Sequence, residues 1–354
     1  MSISTDLGMP PVIAIIVVMM MIATTVFGVR AVGRRQRLRA RRGRAELTRT
    51  VAAFFDDTVG AADLLRAMDA ADAGTAWTVL ESLPLKLDRA EWLRLSTALT
   101  RLRHAAAERR ALTDDSPWRR VLAARRLALL RSRASWRLLR EAMARGPEIV
   151  TQAAAAALAR YRDRGALRWL LAHPQALAKR PRAALAALLR AYGRSGATVI
   201  EDALTRGVAH PRLEIAMVDV IGLRAQRSAR PLLERRLAGG DVDMRAAAAR
   251  ALGLLQAIEC GTSLIAALKD DAWQVRAQAA RALGRVRTPL AIHALAARLT
   301  DASWWVRHHA AYALMDLGED GQAALRQIVA TSADPYARDM AREALDGGIQ
   351  KLSA

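Results

Sequence analysis

Apolar side chains recur at spacings of three and four residues along most of the chain after residue 45, and this spacing predicts helices. In one stretch Val275, Ala279, Ala282 and Val286 lie four, three and four residues apart, which places them on one face of a helix. The inner face of the next helix is predicted to carry Leu290, Ala294, Leu295 and Leu299. The pattern therefore predicts an all-α protein built from pairs of helices.

These helix pairs repeat with a period of 31 residues in the last third of the chain. The period is marked by one arginine position, occupied by Arg245, Arg276, Arg307 and Arg338. The positions three and seven residues later hold Ala248, Ala279, Ala310 and Ala341, and Leu252, Leu283, Leu314 and Leu345. A helix pair cannot bury both of its faces alone, so this period predicts that successive pairs stack into an array.

The sequence DDAWQVRAQAARALG, from Asp270 to Gly284, resembles the HEAT-like repeats named after phycocyanobilin lyases, as does the stretch from Asp301 to Leu314. The resemblance implies a right-handed α-solenoid of helix-pair repeats. It is close over residues 210–346, predicted to be regular repeats, and weaker over residues 113–209, predicted to be degenerate repeats. The other predicted segments are an N-terminal tail (1–9), a transmembrane helix (10–32), a basic juxtamembrane linker (33–44), a helical N-terminal cap or subdomain (45–112) and a C-terminal tail (347–354).

The transmembrane helix is predicted from an apolar stretch without charge between residues 12 and 29. About 20 helical residues match a hydrocarbon core of roughly 30 Å. Among the side chains before this stretch only Asp6 is charged, whereas arginines crowd the segment after it. By the positive-inside tendency, the asymmetry predicts a single-pass protein of the cell inner membrane, with the N-terminus outside and the repeats in the cytoplasm.

Positive charge is concentrated near this predicted membrane helix. The net charge is +21, and residues 101–145 carry +9 of it whereas residues 241–354 are neutral. Anionic lipids attract nearby arginines by about 1 kcal/mol each, so we expect these side chains to face an anionic surface. The alternative is a solvated basic face without a partner. The candidates are Arg34, Arg35, Arg37, Arg39, Arg41, Arg42, Arg44, Arg119, Arg120, Arg125, Arg126, Arg131, Arg133, Arg137 and Arg140.

Tryptophan and histidine side chains cluster at the start of one predicted helix. Trp273 and Trp304 occupy the same repeat position, which favours a structural packing role because structural requirements recur with the period. Trp305, His308 and His309 do not recur, and they are therefore the candidates for contact with a partner. Two adjacent histidines without a third ligand make a poor metal site.

The repeated arginine lies near the N-terminus of a helix, where the helix dipole disfavours positive charge. We expect it to pair with acids of the preceding turn and to have a structural role. Those acids are Asp241, Asp271, Asp301 and Asp334.

No sequence signature of catalysis is present. The chain contains no GxxxxGK[ST] phosphate loop, no GxSxG nucleophile elbow and no HExxH motif, and none of its six histidines is followed by glutamate. Its single cysteine, Cys260, cannot form an internal disulfide. We therefore predict a chain that is not an enzyme, without catalytic, cofactor or metal sites.

The function predicted from these features is a membrane-anchored cytoplasmic scaffold that binds a protein partner through its repeats. A membrane-bound complex, such as a glycosyltransferase or a signalling assembly, is the expected kind of partner. Two alternatives remain open. Nucleic-acid binding is favoured by the pI of about 11.5 but opposed by the predicted anchor, and a lyase-type enzyme is suggested only by the repeat resemblance.

Overall fold

The protein consists of two compact helical units. The computed structural model describes residues 19–21, 27, 41–83, 88–130, 132–177, 179–208 and 210–352. Within these residues the secondary structure is helical and contains no strand, which confirms the all-α prediction. The first unit comprises the described residues up to Asp115 together with Leu129–Ser135, and the second comprises Ser116–Ala128 and the described residues from Trp136 onward.

The predicted transmembrane helix is not tested by the described helices. None of them combines the length and the apolar character needed to cross a membrane. Residues 10–32 lie outside the described part of the chain except for residues 19–21 and 27.

The first unit packs around Trp77, Leu64 and Met68, which are almost fully buried. Its helices are α1 (described over residues 41–55), α2 (Ala61–Ala70), α3 (Ala73–Ser82), α4 (Arg89–Ala98) and α5 (His104–Ala111). Local sequence fixes the start of α4, because Asp88 and Glu91 each accept a hydrogen bond from the other's backbone amide.

The second unit is a series of stacked helix pairs, and it includes the helix Arg133–Arg145 from Trp136 onward. Its helices are α6 (Pro117–Leu127), α7 (Arg133–Arg145), α8 (Glu148–Arg160), α9 (Arg164–Ala172), α10 (Arg182–Ala191), α11 (Arg194–Arg206), α12 (Pro211–Leu223), α13 (Arg230–Gly239), α14 (Val242–Leu255), α15 (Gly261–Ala267), α16 (Trp273–Val286), α17 (Ile292–Ala296), α18 (Trp304–Asp316), α19 (Glu319–Thr331) and α20 (Pro335–Leu352). Short 3-10 helices cover Pro174–Leu177, Arg227–Ala229, Ile258–Cys260, Pro289–Ala291 and Ala297–Thr300. Helix α20 thus continues to Leu352, within the segment expected to be a tail.

Helices α12, α14, α16 and α18 pack side by side, and we call them the tight layer. A glycine permits each close approach. A Cβ atom on Gly222 would lie 2.6 Å from the Cα of Ala251, and one on Gly253 would lie 2.6 Å from the Cβ of Ala282. Such distances leave no room for a side chain, so glycine at this repeat position sets the spacing of the helices.

The repeat positions predicted to be apolar form the core between these helices. Leu252, Leu283 and Leu314 are fully buried, as are Val275 and Val306. The predicted inner face of the following helix is wrong at one position. Leu290 is 79% exposed because it lies in the 3-10 turn that precedes α17 rather than within the helix.

The repeated arginines connect successive repeats through ion pairs that we call the arginine ladder. Both Nε and Nη2 of Arg245 donate to Asp270 at 2.8 Å, and the same atoms of Arg276 donate to Asp301 at 2.8 Å. Burial alone would raise the pKa of Asp301, but the hydrogen bond from Arg276 and the amide of Ser303 help to hold it below its usual value. The ladder is therefore a bidentate, charge-assisted link between repeats.

The prediction that these arginines pair with acids of the preceding turn was wrong, because within the described part of the chain none of the four makes an ion pair with a side chain of that turn. For Arg245 and Arg276 the carboxylate partner lies 25 residues later, in the turn of the following repeat. The preceding turn contributes backbone carbonyls instead, because Nη1 of Arg276 donates to the carbonyl oxygens of Asp270 and Asp271. Arg338 likewise donates to the carbonyl oxygens of Ser332 and Ala333.

The ladder stops at Arg307, where the residue 25 positions later is Ser332. Arg307 donates from Nη1 to the carbonyl oxygens of Asp301 and Ala302, but its buried Nε has no hydrogen-bond partner among the described residues. The Oγ of Ser332 accepts from the amide of Asp334, as the carboxylate of Asp301 does from the amide of Ser303. An aspartate at position 332 would therefore fit the same turn.

We expect Ser332→Asp to stabilise the chain. The new carboxylate would face the unpaired guanidinium edge of Arg307 and add a third ion pair to the ladder, worth about 1 kcal/mol. Urea unfolding followed by circular dichroism measures the change, with Ser332→Asn as the uncharged control. Equal stability of the two variants would contradict the predicted ion pair.

Candidate partner-binding site on helix α18

Helix α18 presents a cluster of aromatic and imidazole rings, which we call the aromatic patch: Trp304, Trp305, His308, His309 and Tyr312. Trp304 stacks on His308 with ring centroids 4.8 Å apart, and His308 contacts Tyr312 at 4.5 Å. The second row is formed by Trp305 and His309, whose centroids are 6.3 Å apart. Spacings of three and four residues bring these rings onto adjacent faces of one helix.

The tryptophans of the patch are open to solvent. Trp304 is 45% exposed and Trp305 is 51% exposed. Trp273, at the equivalent position of the preceding repeat, is 41% exposed, so neither recurring tryptophan is a core residue. Exposed aromatic surface of this kind is enriched at protein interfaces.

The structure brings the three predicted partner-contact residues together and adds Trp304 and Tyr312 to them. Trp305, His308 and His309 lie within one ring cluster. Tyr312 extends it along α18, and its position four residues after His308 was the available signal. Tyr336 on α20 is 68% exposed, and the guanidinium carbon of Arg307 lies 5.4 Å from its ring centroid.

The two histidines of the patch have distinct environments. The Nδ1 atom of His308 is buried without a hydrogen-bond partner among the described residues. Burial, together with the charges of His308, Arg281 and Arg285, lowers the pKa of His309 to about 4. His309 is therefore neutral at physiological pH.

This low pKa predicts that stability falls in mild acid. The unfolded chain binds a proton at His309 near its usual pKa of 6.5, whereas the folded chain does so only near 4, so stability is lost as the pH falls through this window. We expect a loss of about 2 kcal/mol between pH 7 and pH 4 for this half-buried ring, allowing for solvent screening. Urea unfolding at a series of pH values measures it.

The matched control is His309→Gln, which keeps a polar side chain but cannot titrate in this range. Its free energy of unfolding should vary less with pH across the window than that of the natural chain. The aspartates of the arginine ladder have pKa values below 3.8 in the folded chain, so their protonation lowers stability mainly below this pH. The effect is the same in both chains and does not confound the comparison. Parallel pH profiles of the two chains would contradict the assignment.

A cavity of about 410 Å³ adjoins the patch, and we call it the arginine cavity. It lies between residues of α16, α18, α19 and α20, and it shares His309 and Tyr312 with the aromatic patch. Its polar lining residues are Arg281, Arg285, His309, Tyr312, Asp316 and Gln322. Side-chain donors thus outnumber side-chain acceptors in its wall.

The arginines of this cavity have no ion-pair partner within the described residues, whereas the arginine equivalent to Arg281 in the preceding repeat has one. One repeat earlier, Arg250 pairs with Asp219 at 2.5 Å, and Asp219 also binds Arg182. Neither Arg281 nor Arg285 makes an ion pair within the described residues, although the charge of Asp316 favours the charged form of Arg285. Burial, followed by the charges of Arg281 and Arg250, lowers the pKa of Arg285.

The candidate arginines for an anionic surface occupy varied environments. Arg34, Arg35, Arg37, Arg39 and Arg131 lie outside the described residues. Exposed positions on their helices are held by Arg41, Arg42, Arg44, Arg119, Arg125, Arg133 and Arg137, and half-buried ones by Arg120 and Arg126. Arg140 differs, because it binds the buried Asp163 at 2.5 Å and lies over the ring of Trp136. Its charge is compensated within the fold.

The rest of the described chain offers little reactive chemistry. No group of three or more His, Cys, Asp or Glu side chains suited to a metal ion is found there. Burial, followed by the nearby charge of Glu234, raises the pKa of the Cys260 thiol to about 11. This thiol is therefore protonated at neutral pH, which disfavours it as a nucleophile.

Solved structures resemble this chain at low identity. The complex of CpcE and CpcF of phycocyanin lyase from Nostoc sp. PCC7120 is 20% identical, covering 43% of this chain and 98% of that chain with a TM-score of 0.34. Human deoxyhypusine hydroxylase in complex with glycerol is 20% identical, covering 79% and 96% with a TM-score of 0.31. Kap121p bound to Ste12p is 13% identical, covering 82% and 46% with a TM-score of 0.37. At these values the likeness carries no information about function.

A search of curated proteins found no significant match. A family model does match part of the region predicted to contain regular repeats. Residues 261–346, from α15 into α20, match the family described as HEAT repeats.

Proposed function

We propose that this chain is a scaffold that binds a protein partner through the aromatic patch, and that it acts by binding rather than by catalysis. The observation that carries the proposal is the exposure of Trp304 and Trp305 within an ordered ring cluster. Hot spots of protein interfaces are rich in tryptophan and tyrosine because these rings bury a large area at small entropic cost.

The geometry of α18 suits this role. The rings are held by contacts along one helix, so a partner would meet a surface that is already organised. The helix itself is fixed in the tight layer by the buried side chains of Val306 and Leu314. Binding to such a rigid face requires little ordering of the scaffold.

A pull-down from native membranes tests the proposal. The chain with Trp304→Ala and Trp305→Ala should lose about tenfold or more of its recovered partner, because the central interface rings are removed. The matched control carries Ile258→Ala and Leu290→Ala, which remove exposed apolar side chains outside the patch. Equal recovery with both variants would overturn the patch as the binding surface.

The location of the scaffold is a further part of this proposal. The apolar segment at residues 10–32 would anchor the chain in the cell inner membrane with the repeats in the cytoplasm, where a membrane-bound complex is the partner. The exposed Arg41, Arg42 and Arg44 on α1 would then face anionic lipid.

Quenching of tryptophan fluorescence by brominated lipids tests this orientation in reconstituted vesicles. Quenching should be stronger in anionic than in neutral vesicles, and the difference should shrink in a chain with Arg41, Arg42 and Arg44 changed to glutamine. Equal quenching in both vesicle types would contradict a role for these arginines.

A further inference from the structure

The arginine cavity and the aromatic patch form one continuous surface. His309 and Tyr312 belong to both, and Trp305 lies 6.3 Å from His309 between ring centroids. A partner segment whose apolar side chain packs on Trp305 would therefore place its neighbouring residues at the mouth of the cavity. The chemistry of the cavity wall then decides which residues are accepted there.

The repeat pattern explains why Arg281 in this wall has no acidic residue at the equivalent position of a neighbouring repeat. The same repeat position is occupied in turn by Asp219, Arg250, Arg281 and Tyr312. The acid–base neighbours Asp219 and Arg250 form an ion pair across the tight layer. At this position Arg281 is preceded by Arg250 and followed by Tyr312, so neither neighbouring repeat provides a carboxylate for it there.

Among the remaining polar wall groups Tyr312 and Gln322 can donate hydrogen bonds, whereas the carboxylate of Asp316 only accepts them when ionised and offsets part of the positive charge of the two arginines. The hydroxyl of Tyr312 approaches Gly347, where a Cβ atom would lie 3.3 Å from it, and it makes no hydrogen bond to the described residues. The side-chain amide of Gln322 also lines the cavity. Guanidinium, phenol and amide donors around one space suit a carboxylate, which only accepts hydrogen bonds when ionised.

We infer that the arginine cavity binds an aspartate or glutamate side chain of the protein partner, next to the apolar residue that packs on the aromatic patch. This inference rests on the proposed function, since it specifies the chemistry of the partner that the patch binds. Arg281 and Arg285 supply the charge, and Tyr312 supplies a neutral donor. The partner motif is thus an acidic segment with an adjacent large apolar side chain.

A fluorescent peptide of alternating glutamate and leucine, with capped ends, is a suitable probe for the full chain. Fluorescence anisotropy at about 0.15 M salt gives its affinity. The variant with Arg281→Glu and Arg285→Glu should bind it at least about tenfold more weakly, because attraction is replaced by repulsion. Arg281→Glu alone, at an exposed position, should act in the same direction without a folding defect.

The control is a chain with Arg212→Glu and Arg235→Glu, which makes the same change of net charge at exposed arginines outside the cavity. Its affinity should stay within about twofold of the natural chain, because distant exposed charges are screened. Equal weakening by both double variants would overturn the inference, as would equal binding of a peptide with glutamine in place of glutamate, or no binding of the glutamate peptide.

The membrane pull-down separates this inference from the proposed function. If the chain with Arg281→Glu and Arg285→Glu recovers the partner undiminished while loss of Trp304 and Trp305 abolishes recovery, the patch is the interface and the acidic motif is wrong. If recovery is insensitive to the tryptophans, the proposed function fails, and the peptide titration alone decides whether the cavity accepts carboxylates.

Discussion

Arg276→Ala is expected to lower the free energy of unfolding by about 3 kcal/mol, since it leaves the buried carboxylate of Asp301 with only Arg298, 3.7 Å away, as a cationic partner. The Asp301 side chain is only 4% exposed and receives two hydrogen bonds from Arg276 at 2.8 Å. The same substitution removes the donor to the carbonyl oxygens of Asp270 and Asp271. Urea unfolding followed by circular dichroism measures the loss.

Arg338→Ala is the matched control, because Arg338 donates to backbone carbonyls of its preceding turn but has no aspartate partner in the ladder. We expect this control to cost about 1 kcal/mol. The double variant with Arg276→Ala and Asp301→Ala should be less destabilised than the sum of the two single changes, since no charge is stranded. Similar losses for Arg276→Ala and Arg338→Ala would contradict the stabilising role of the ladder.

Gly253→Leu is expected to destabilise the tight layer by about 3 kcal/mol. A Cβ atom at this position would lie 2.6 Å from the Cβ of Ala282 and 2.7 Å from its Cα, so α14 and α16 would have to separate. The separation would also loosen the buried contacts of Leu252 and Leu283. Urea unfolding gives the size of the effect, and hydrogen exchange of α14 and α16 amides locates it.

The control for this prediction is Gly239→Leu, because nothing lies within 4 Å of a Cβ atom built at Gly239. Its free energy of unfolding should remain within about 0.5 kcal/mol of the natural chain. If Gly253→Leu were as stable as Gly239→Leu, the helices of the tight layer would not depend on glycine for their spacing.

The repeat architecture was predictable because burial follows the 31-residue period closely. Val275, Ala279, Ala282 and Leu283 are buried as the periodic pattern indicates. The partners of the ladder arginines were harder to predict. Periodicity shows which positions are equivalent, but it does not show whether a long side chain reaches toward the preceding or the following turn.

The aromatic patch could be predicted in part from the sequence. Non-recurrence singled out Trp305, His308 and His309, and the structure places them in one cluster. The arginine cavity was missed because each of its arginines looks like an ordinary exposed helix residue. A comparison of Asp219, Arg250 and Arg281 at one repeat position would have shown that the pairing of an acid with a base does not extend to Arg281.

The basic half of the chain shows a different limit of sequence reasoning. A count of arginines treats each as an available charge, yet Arg140 is bound to the buried Asp163. Asp163 also accepts hydrogen bonds from Trp136 and from the amides that begin α9. Charge totals therefore overstate the basic surface wherever a buried acid lies nearby in the fold.

Photo-crosslinking in native membranes tests the central claim most directly. A benzophenone side chain placed at position 305 lies in the aromatic patch, and one placed at position 290 lies at an exposed turn outside it. We predict a discrete protein adduct from position 305 that is lost when Trp304 is changed to alanine, and no such adduct from position 290. The same adduct at equal yield from both positions would contradict binding through the aromatic patch.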